Sequence, residues 1–263
     1  MLFVKDFFYT RCNTYKVVND LNTDKLSVRL ETVAKYVLKE SKLADIGSDH
    51  AYLPSFLVKN GQISFGIAGE VAKGPFQSAE KNVLAEGLTD RISVRMGDGL
   101  EVIQPGDVDC ITIAGMGGSL IASILENGNG KLDSVKRLVL QPNINAIAIR
   151  SWLIENNWEL VAEEIIEEDS KIYEILVAEK GDPLKPYRDI PLETGLLVGP
   201  FLLQGKEKAF KKKWSLEKKN WKRIYEQLES AAPSAETEGK KQELVKKISL
   251  IEGVLDNEDS EWT

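Results

Sequence analysis

From residue 43 to residue 180, short apolar runs alternate with amphipathic stretches, and the spacing of the apolar positions changes between the two. The short runs, bounded by Gly, Asp, Asn or Ser, predict strands over 43–46, 63–68, 92–96, 109–114, 137–141, 158–167 and 172–180. Apolar residues at helical spacing predict helices over 54–60, 74–86, 118–126 and 146–156. Such alternation implies an α/β fold built on a mostly parallel sheet. The last two strands are joined by "EEDSK", too short for a helical crossover, and are expected to form an antiparallel hairpin at one edge. Ahead of the first strand, "LSVRLETVAKYVLKE" carries Leu26, Leu30, Val33, Val37 and Leu38 at helical spacing and is expected to cap the sheet.

Beyond Gly181 the pattern changes. Residues 182–200 hold four prolines and read as a linker or wrap-around segment. Two helices are predicted after it, over 201–230 and 240–255, separated by "AAPSAETEG". The first bears Phe210, Trp214, Trp221, Ile224 and Leu228 at near-heptad spacing; the second bears Leu244, Ile248, Ile251 and Leu255. The two stripes are expected to pack on each other as a coiled-coil-like helical hairpin. The chain therefore divides into an N-terminal extension (1–25), a sheet domain (26–181), a linker (182–200) and a C-terminal hairpin (201–263).

Composition narrows the function classes. With 43% hydrophobic and 29% charged residues, the 263-residue chain has ample material for a core. A net charge of −7 excludes a general polyanion binder, so any nucleic-acid surface must be local. One stretch qualifies: Lys206, Lys208, Lys211, Lys212, Lys213, Lys218, Lys219, Lys222 and Arg223 face only Glu207 and Glu217 in the first C-terminal helix. Nucleic-acid contact is expected there, against the alternative of a solvated helix face. Cys12 and Cys110 support neither a disulfide framework nor a thiolate metal site, which fits a reducing cytoplasm. No run approaches the 18 apolar residues of a transmembrane helix. "MLFVKDFFYTRC" is interrupted by Lys5, Asp6 and Arg11, so residues 1–25 read as an extension ahead of the native start rather than a signal peptide.

The candidate chemistry lies in the loops that follow the strands. "ADIGSDHAYLP" looks like a nucleotide-binding turn, yet Asp49 and Ala51 stand where a dinucleotide loop places glycines. Asp49 would repel a pyrophosphate but would suit a nucleoside ligand bearing positive charge and no phosphate, such as S-adenosylmethionine. Alternatively, Asp49 only caps the following helix. Glu70 ends the second strand, where an acid accepts hydrogen bonds from ribose hydroxyls. Asp98, in "RMGDGL", is placed to take an adenine amino group. The fourth strand runs into "IAGMGG", expected as a flexible loop at the carboxyl edge, and "QPN" after the fifth offers the Gln141 and Asn143 amides to a base edge. His50, the single histidine, could serve as a general base or a stacking ring, or be purely structural.

Taken together, "LSVRLETVA", "ADIGSDHAYLP", "AGEV", "GDGL", "DCITIAGMGG", "LVLQPN", "RSWLIENNWELVAEEIIEED" and "KIYEILVAE" resemble the TrmK family, bacterial tRNA (adenine-N1)-methyltransferases that modify adenine 22 in the D-arm. The pieces fall in order over residues 26–180, while the N-terminal extension departs from the family pattern. The resemblance implies a class I, Rossmann-like, seven-stranded methyltransferase domain with a hairpin that helps hold tRNA. It places S-adenosylmethionine on Asp45, Gly47, Ser48, Asp49, Glu70, Val71, Asp98, Gly99, Ala114 and Gly115. The target base is expected beside Asp49, His50, Tyr52, Met116, Gln141 and Asn143, the residues with candidate catalytic roles. tRNA is expected on Arg29, Lys211, Lys212, Lys213, Lys218, Lys219, Lys222 and Arg223, with neither a metal nor an obligate protein partner. Two other classes stay open: a methyltransferase acting on a small molecule or protein, and a non-catalytic RNA-binding module on a methyltransferase fold. Redox chemistry with NAD is disfavoured by the glycine spacing.

Overall fold

The computed structural model describes residue 23, residues 25–230, residue 232 and residues 234–256. Its elements run α1 (Val28–Tyr36), β1 (Lys42–Ile46), α2 (Tyr52–Lys59), β2 (Phe65–Glu70), α3 (Lys73–Ala85), β3 (Ile92–Met96), β4 (Cys110–Gly117), α4 (Gly118–Asn127), β5 (Arg137–Ile144), α5 (Ala146–Glu155), β6 (Trp158–Glu168) and β7 (Lys171–Lys180). After them come α6 (Leu192–Val198), α7 (Pro200–Gly205), α8 (Lys208–Glu229) and α9 (Ala235–Asp256). The seven strands form one sheet in the order β3-β2-β1-β4-β5-β7-β6, with β7 antiparallel to both neighbours. The strand order reverses between β1 and β4, the topological switch point where open α/β sheets bind ligands.

Two-residue alternation sorts the strands onto two cores. Ala44, Ile46, Ile111, Ile113, Leu138 and Leu140 pack on one face with Ile121 and Leu125 of α4 and Ile149 and Leu153 of α5. Leu43, Ala68, Cys110 and Val139 pack on the other with residues of α1, α2 and α3. The same alternation brings Asp45, Glu70, Thr112 and Gln141 onto the α1–α2 face, at the carboxyl ends of their strands.

Several expectations are corrected by packing. The "IAGMGG" segment is the bulged end of β4, still paired to β5 through Met116↔Pro142 and Gly117↔Ile144, and not a flexible loop. The long charged helix is two helices, broken where Lys206 turns left-handed (φ 39°). Residues 182–200 take the wrap-around form: Tyr187, Thr194, Leu197 and Val198 are buried, and Arg150 donates to the Leu196 and Leu197 carbonyls. Phe210, Trp214, Ile251 and Val254 are buried together with Ile165 of β6, so the α8–α9 hairpin shares a core with the sheet. At the other end, buried Thr23 donates to Glu86 and buried Leu26 belongs to the core, so the fold starts before residue 26. Cys12 and the rest of the expected extension up to residue 22 lie outside the described residues. Among the described residues no helix is long and apolar enough to cross a membrane.

Candidate functional site

The loop after β1 is held in a costly conformation. Gly47 (φ 69°) is followed by Asp49 (39°), His50 (63°) and Ala51 (56°), three consecutive left-handed residues that carry side chains. Left-handed backbone costs an L-residue about 1–2 kcal/mol, and such strain persists only where the surroundings enforce it. Here the N–H groups of Gly47 and Ser48 both donate to the Gly69 carbonyl, at 2.9 and 3.2 Å, and the Asp49 N–H donates to Glu70 Oε1 at 2.5 Å. The Asn82 amide holds the His50 carbonyl at 2.8 Å. The N–H groups of Gly47, Ser48 and Asp49 are therefore bonded to the end of β2. Asp49 does not cap α2, whose N-cap position is Ala51 and has no side-chain cap. Its side chain is instead 80% exposed, beside the His50 ring that stacks on Tyr52 at 5.2 Å.

Asp45 lies beneath this loop. Its carboxylate is buried, with Ser48 Oγ donating to one oxygen and Thr112 Oγ1 to the other, each at 2.6 Å. Burial pushes its pKa up despite these two hydrogen bonds and the nearby Arg29 charge. Asp45 thus braces Ser48 rather than opening onto the loop. Thr112, its register partner across the β1–β4 switch, escaped the sequence reading, although strand alternation puts it on the same face as Cys110. Glu70 is also buried and shifted upward, first by burial and then by the charges of Asp49 and Asp45, against the pull of the Asp49 N–H.

On the β4–β5 side, both amides bond to backbone groups. Gln141 Oε1 accepts from Arg29 Nη1 (2.6 Å) and from the Gly115 N–H (3.0 Å), while its Nε2 donates to the Pro142 carbonyl (2.8 Å). Gln141 is fully buried, so the expected reading of a base edge by this residue is corrected: its hydrogen bonds are spent inside the fold. Asn143, which is exposed, donates to the Gly115 carbonyl at 2.7 Å. Gly115 (φ 80°) is thereby held at both of its polar groups. Arg29 is half-buried beside the same segment. It is drawn inward to Gln141 and the Tyr173 ring (5.5 Å), and Glu168 accepts from the Val28 and Arg29 N–H groups at the start of α1. Met116 reaches across the switch, its methyl group lying 2.2 Å from where a Cβ on Gly47 would stand, and it is the left-handed φ of 69° that favours glycine there.

The remaining cofactor candidates line the same edge. Val71 is exposed just past β2, Ala114 is half-buried at the β4 bulge, and Asp98 is exposed after β3, its N–H received by Glu101. Asp98, Gly99, Ile124, Asn127 and Lys131 line a concavity of about 110 Å³. No group of three His, Cys, Asp or Glu able to hold a metal ion occurs among the described residues.

The basic helix is partly neutralised from within. Lys212 pairs with Glu167, Lys213 with buried Glu174, and Lys222 with Glu252. Lys218, Lys219 and Arg223 line one groove on the outer face of α8, Arg223 donating to Asn220.

Comparison with known proteins places this geometry in one group. The family model for tRNA (adenine(22)-N(1))-methyltransferase, TrmK, matches residues 43–253. The curated tRNA (adenine(22)-N(1))-methyltransferase of Bacillus subtilis is 51% identical over 237 residues, covering 90% of this chain and all of that protein. The crystal structure of the B. subtilis M1A22 tRNA methyltransferase TrmK superposes with a TM-score of 0.86 at 52% identity, covering 89% of this chain and all of that one. A Streptococcus pneumoniae protein solved in complex with S-adenosyl-L-methionine superposes with a TM-score of 0.77 at 45% identity, over 88% of this chain and all of that one. The chain belongs to the TrmK family of tRNA (adenine(22)-N(1))-methyltransferases.

Proposed function

We propose that the protein transfers a methyl group from S-adenosylmethionine to N1 of adenine 22 in the D-arm of tRNA, in the cytoplasm. The observation that carries this reading is the loop after β1. The N–H groups of Gly47, Ser48 and Asp49 are bonded to Gly69 and Glu70, and the Asp49 carboxylate stands exposed where a dinucleotide loop has glycine. A carboxylate at that place repels a pyrophosphate and suits a cationic nucleoside. When bound, S-adenosylmethionine supplies a methyl group on an electrophilic sulfonium. Glu70 is placed for the ribose hydroxyls and Asp98 for the adenine of that cofactor, with Gly47, Ser48, Val71, Gly99, Ala114 and Gly115 as the surrounding wall. Asp45 acts indirectly by fixing Ser48 and the loop.

Adenine N1 carries its own lone pair, so the site has to align it on the methyl carbon rather than remove a proton first. As the N1–C bond forms, the C–S pair returns to sulfur and the positive charge arrives on the adenine ring. Asp49, exposed in the strained loop, is the carboxylate set to offset that charge, and the stacked His50 and Tyr52 rings offer an aromatic surface to the base. Among the described residues a covalent route to pyrimidine C5 has no support, because Cys110 is buried in β4 and burial pushes its thiol up to about 12. The N1 atom lies on the pairing edge, so the base must leave its stack, while Lys218, Lys219 and Arg223 on α8 hold the tRNA backbone. Treating tRNA with the protein and S-adenosylmethionine should create a new reverse-transcription stop at one D-arm adenine. Methylated tRNA without that stop would overturn the assignment.

A further inference from the structure

One apolar side chain at the rim of the site is mounted rigidly and packs into no core. Ile144, the last residue of β5, is 73% exposed, more than any other large apolar side chain among the described residues. Its backbone is paired with Gly117 of the bulged β4 end. The next residue, Asn145, is left-handed (φ 60°), and its amide donates to Ser119 Oγ at 2.6 Å. Gly118 presses beneath this turn: a Cβ there would stand 2.1 Å from the Asn145 carbonyl oxygen and 3.1 Å from that of Ile144. One position further along α4 from Ser119, Leu120 is also 54% exposed. A lone exposed isoleucine is ordinary. A fixed one, beside Met116 and Asn143 where the target base is expected, has a use.

We propose that Ile144 is an apolar wedge that enters the RNA helix at the step vacated by the target adenine. The proposal rests on the reading of this protein as a tRNA adenine-N1 methyltransferase. Extracting a paired base costs its stacking and pairing, and proteins that open a helix offset part of this by inserting an Ile, Leu, Met, Phe or Pro side chain. A wedge must resist the push of the stack. The paired strand end, the Asn145–Ser119 bond and the close Gly118 contact give Ile144 that support.

The test compares wild type, Ile144→Ser and Ile144→Leu on two tRNAs. One has the native D-arm, and the other carries a replaced partner base that leaves the target adenine unpaired. For Ile144→Ser, kcat/KM on the native tRNA should fall on the order of tenfold, since the unstacking is no longer offset. On the unpaired tRNA it should fall less than about twofold, because that base is already free to leave. Ile144→Leu should restore activity on the native tRNA, and S-adenosylmethionine affinity by calorimetry should be the same in all three proteins. Equal losses on both tRNAs, or no loss on either, overturn the wedge. Wild-type protein that methylates neither tRNA overturns the underlying function, and the wedge with it.

Discussion

At Glu70 two requirements oppose each other, and pH separates them. A carboxyl whose folded pKa is raised holds its proton more tightly in the fold than in the unfolded chain. Its contribution to stability is therefore complete at low pH and lost as pH rises through the raised value. Cofactor binding has the opposite sign, because a cationic ligand favours the carboxylate. Affinity for S-adenosylmethionine should accordingly begin to fall, as pH is lowered, at a pH above the ordinary glutamate value of 4.5. Calorimetry across that range checks this, and an affinity that holds constant down to 4.5 would contradict it. Glu70→Gln should remove the pH dependence and weaken binding on the order of tenfold, the size of one well-placed charge-assisted contact. Its melting temperature at neutral pH should not fall, since a buried charge has been removed. Asp49→Asn should behave differently. Its side chain is exposed, so folding should be unaffected, and the loss should appear mainly in kcat if the carboxylate offsets charge arriving on the base.

Among the elements, the most exacting junction lies under β6, β7 and the wrap-around segment. Arg150 of α5 is fully buried and binds Glu163 of β6 and Glu174 of β7, while the Phe201 N–H donates to Glu163. Burial pushes both carboxyls up. At Glu174 the Lys213 and Arg150 charges overcome it and its pKa falls, whereas at Glu163, with Arg150 as its cation, burial wins. Arg150→Met should therefore cost about 3–5 kcal/mol, because two buried carboxyls would share a single remaining cation. Denaturant titration measures it, and a cost below 1 kcal/mol would mean the cluster is dispensable. The elements themselves were largely legible: strands β3 and β5 begin where the apolar runs begin, and the seventh strand pairs as its short connection requires. The Arg29–Gln141 and Arg150–Glu163 pairs were not. The first spans 112 residues and the second joins two different elements 13 residues apart, and nothing in the local pattern of either member marks its partner. The bulged end of β4 was misread for the same reason, since the amides that hold Gly115 belong to β5.

For the whole molecule, the hairpin is part of the fold and not an appendage. Removing 201–263 would strip Phe210, Trp214 and Ile251 from Ile165 and Leu197, so a truncated enzyme would lose activity through unfolding whatever its substrate. Charge reversal of Lys218, Lys219 and Arg223 is the cleaner test. tRNA affinity should fall and log Kd should lose about two to three units of its slope on log salt, with S-adenosylmethionine affinity unchanged. Reversal of Lys213 should instead destabilise the fold through buried Glu174. The basic run was visible in the sequence, but which of its members face outward depends on the glutamates that β6, β7 and α9 bring to them.

The central claim is methyl transfer to the ring nitrogen N1 of one tRNA adenine. Its most direct test is nucleoside analysis of unfractionated tRNA after treatment with the protein and isotopically labelled S-adenosylmethionine. The label should appear in 1-methyladenosine alone. Label in N6-methyladenosine or a methylated pyrimidine, or none in tRNA despite cofactor binding, would contradict the account.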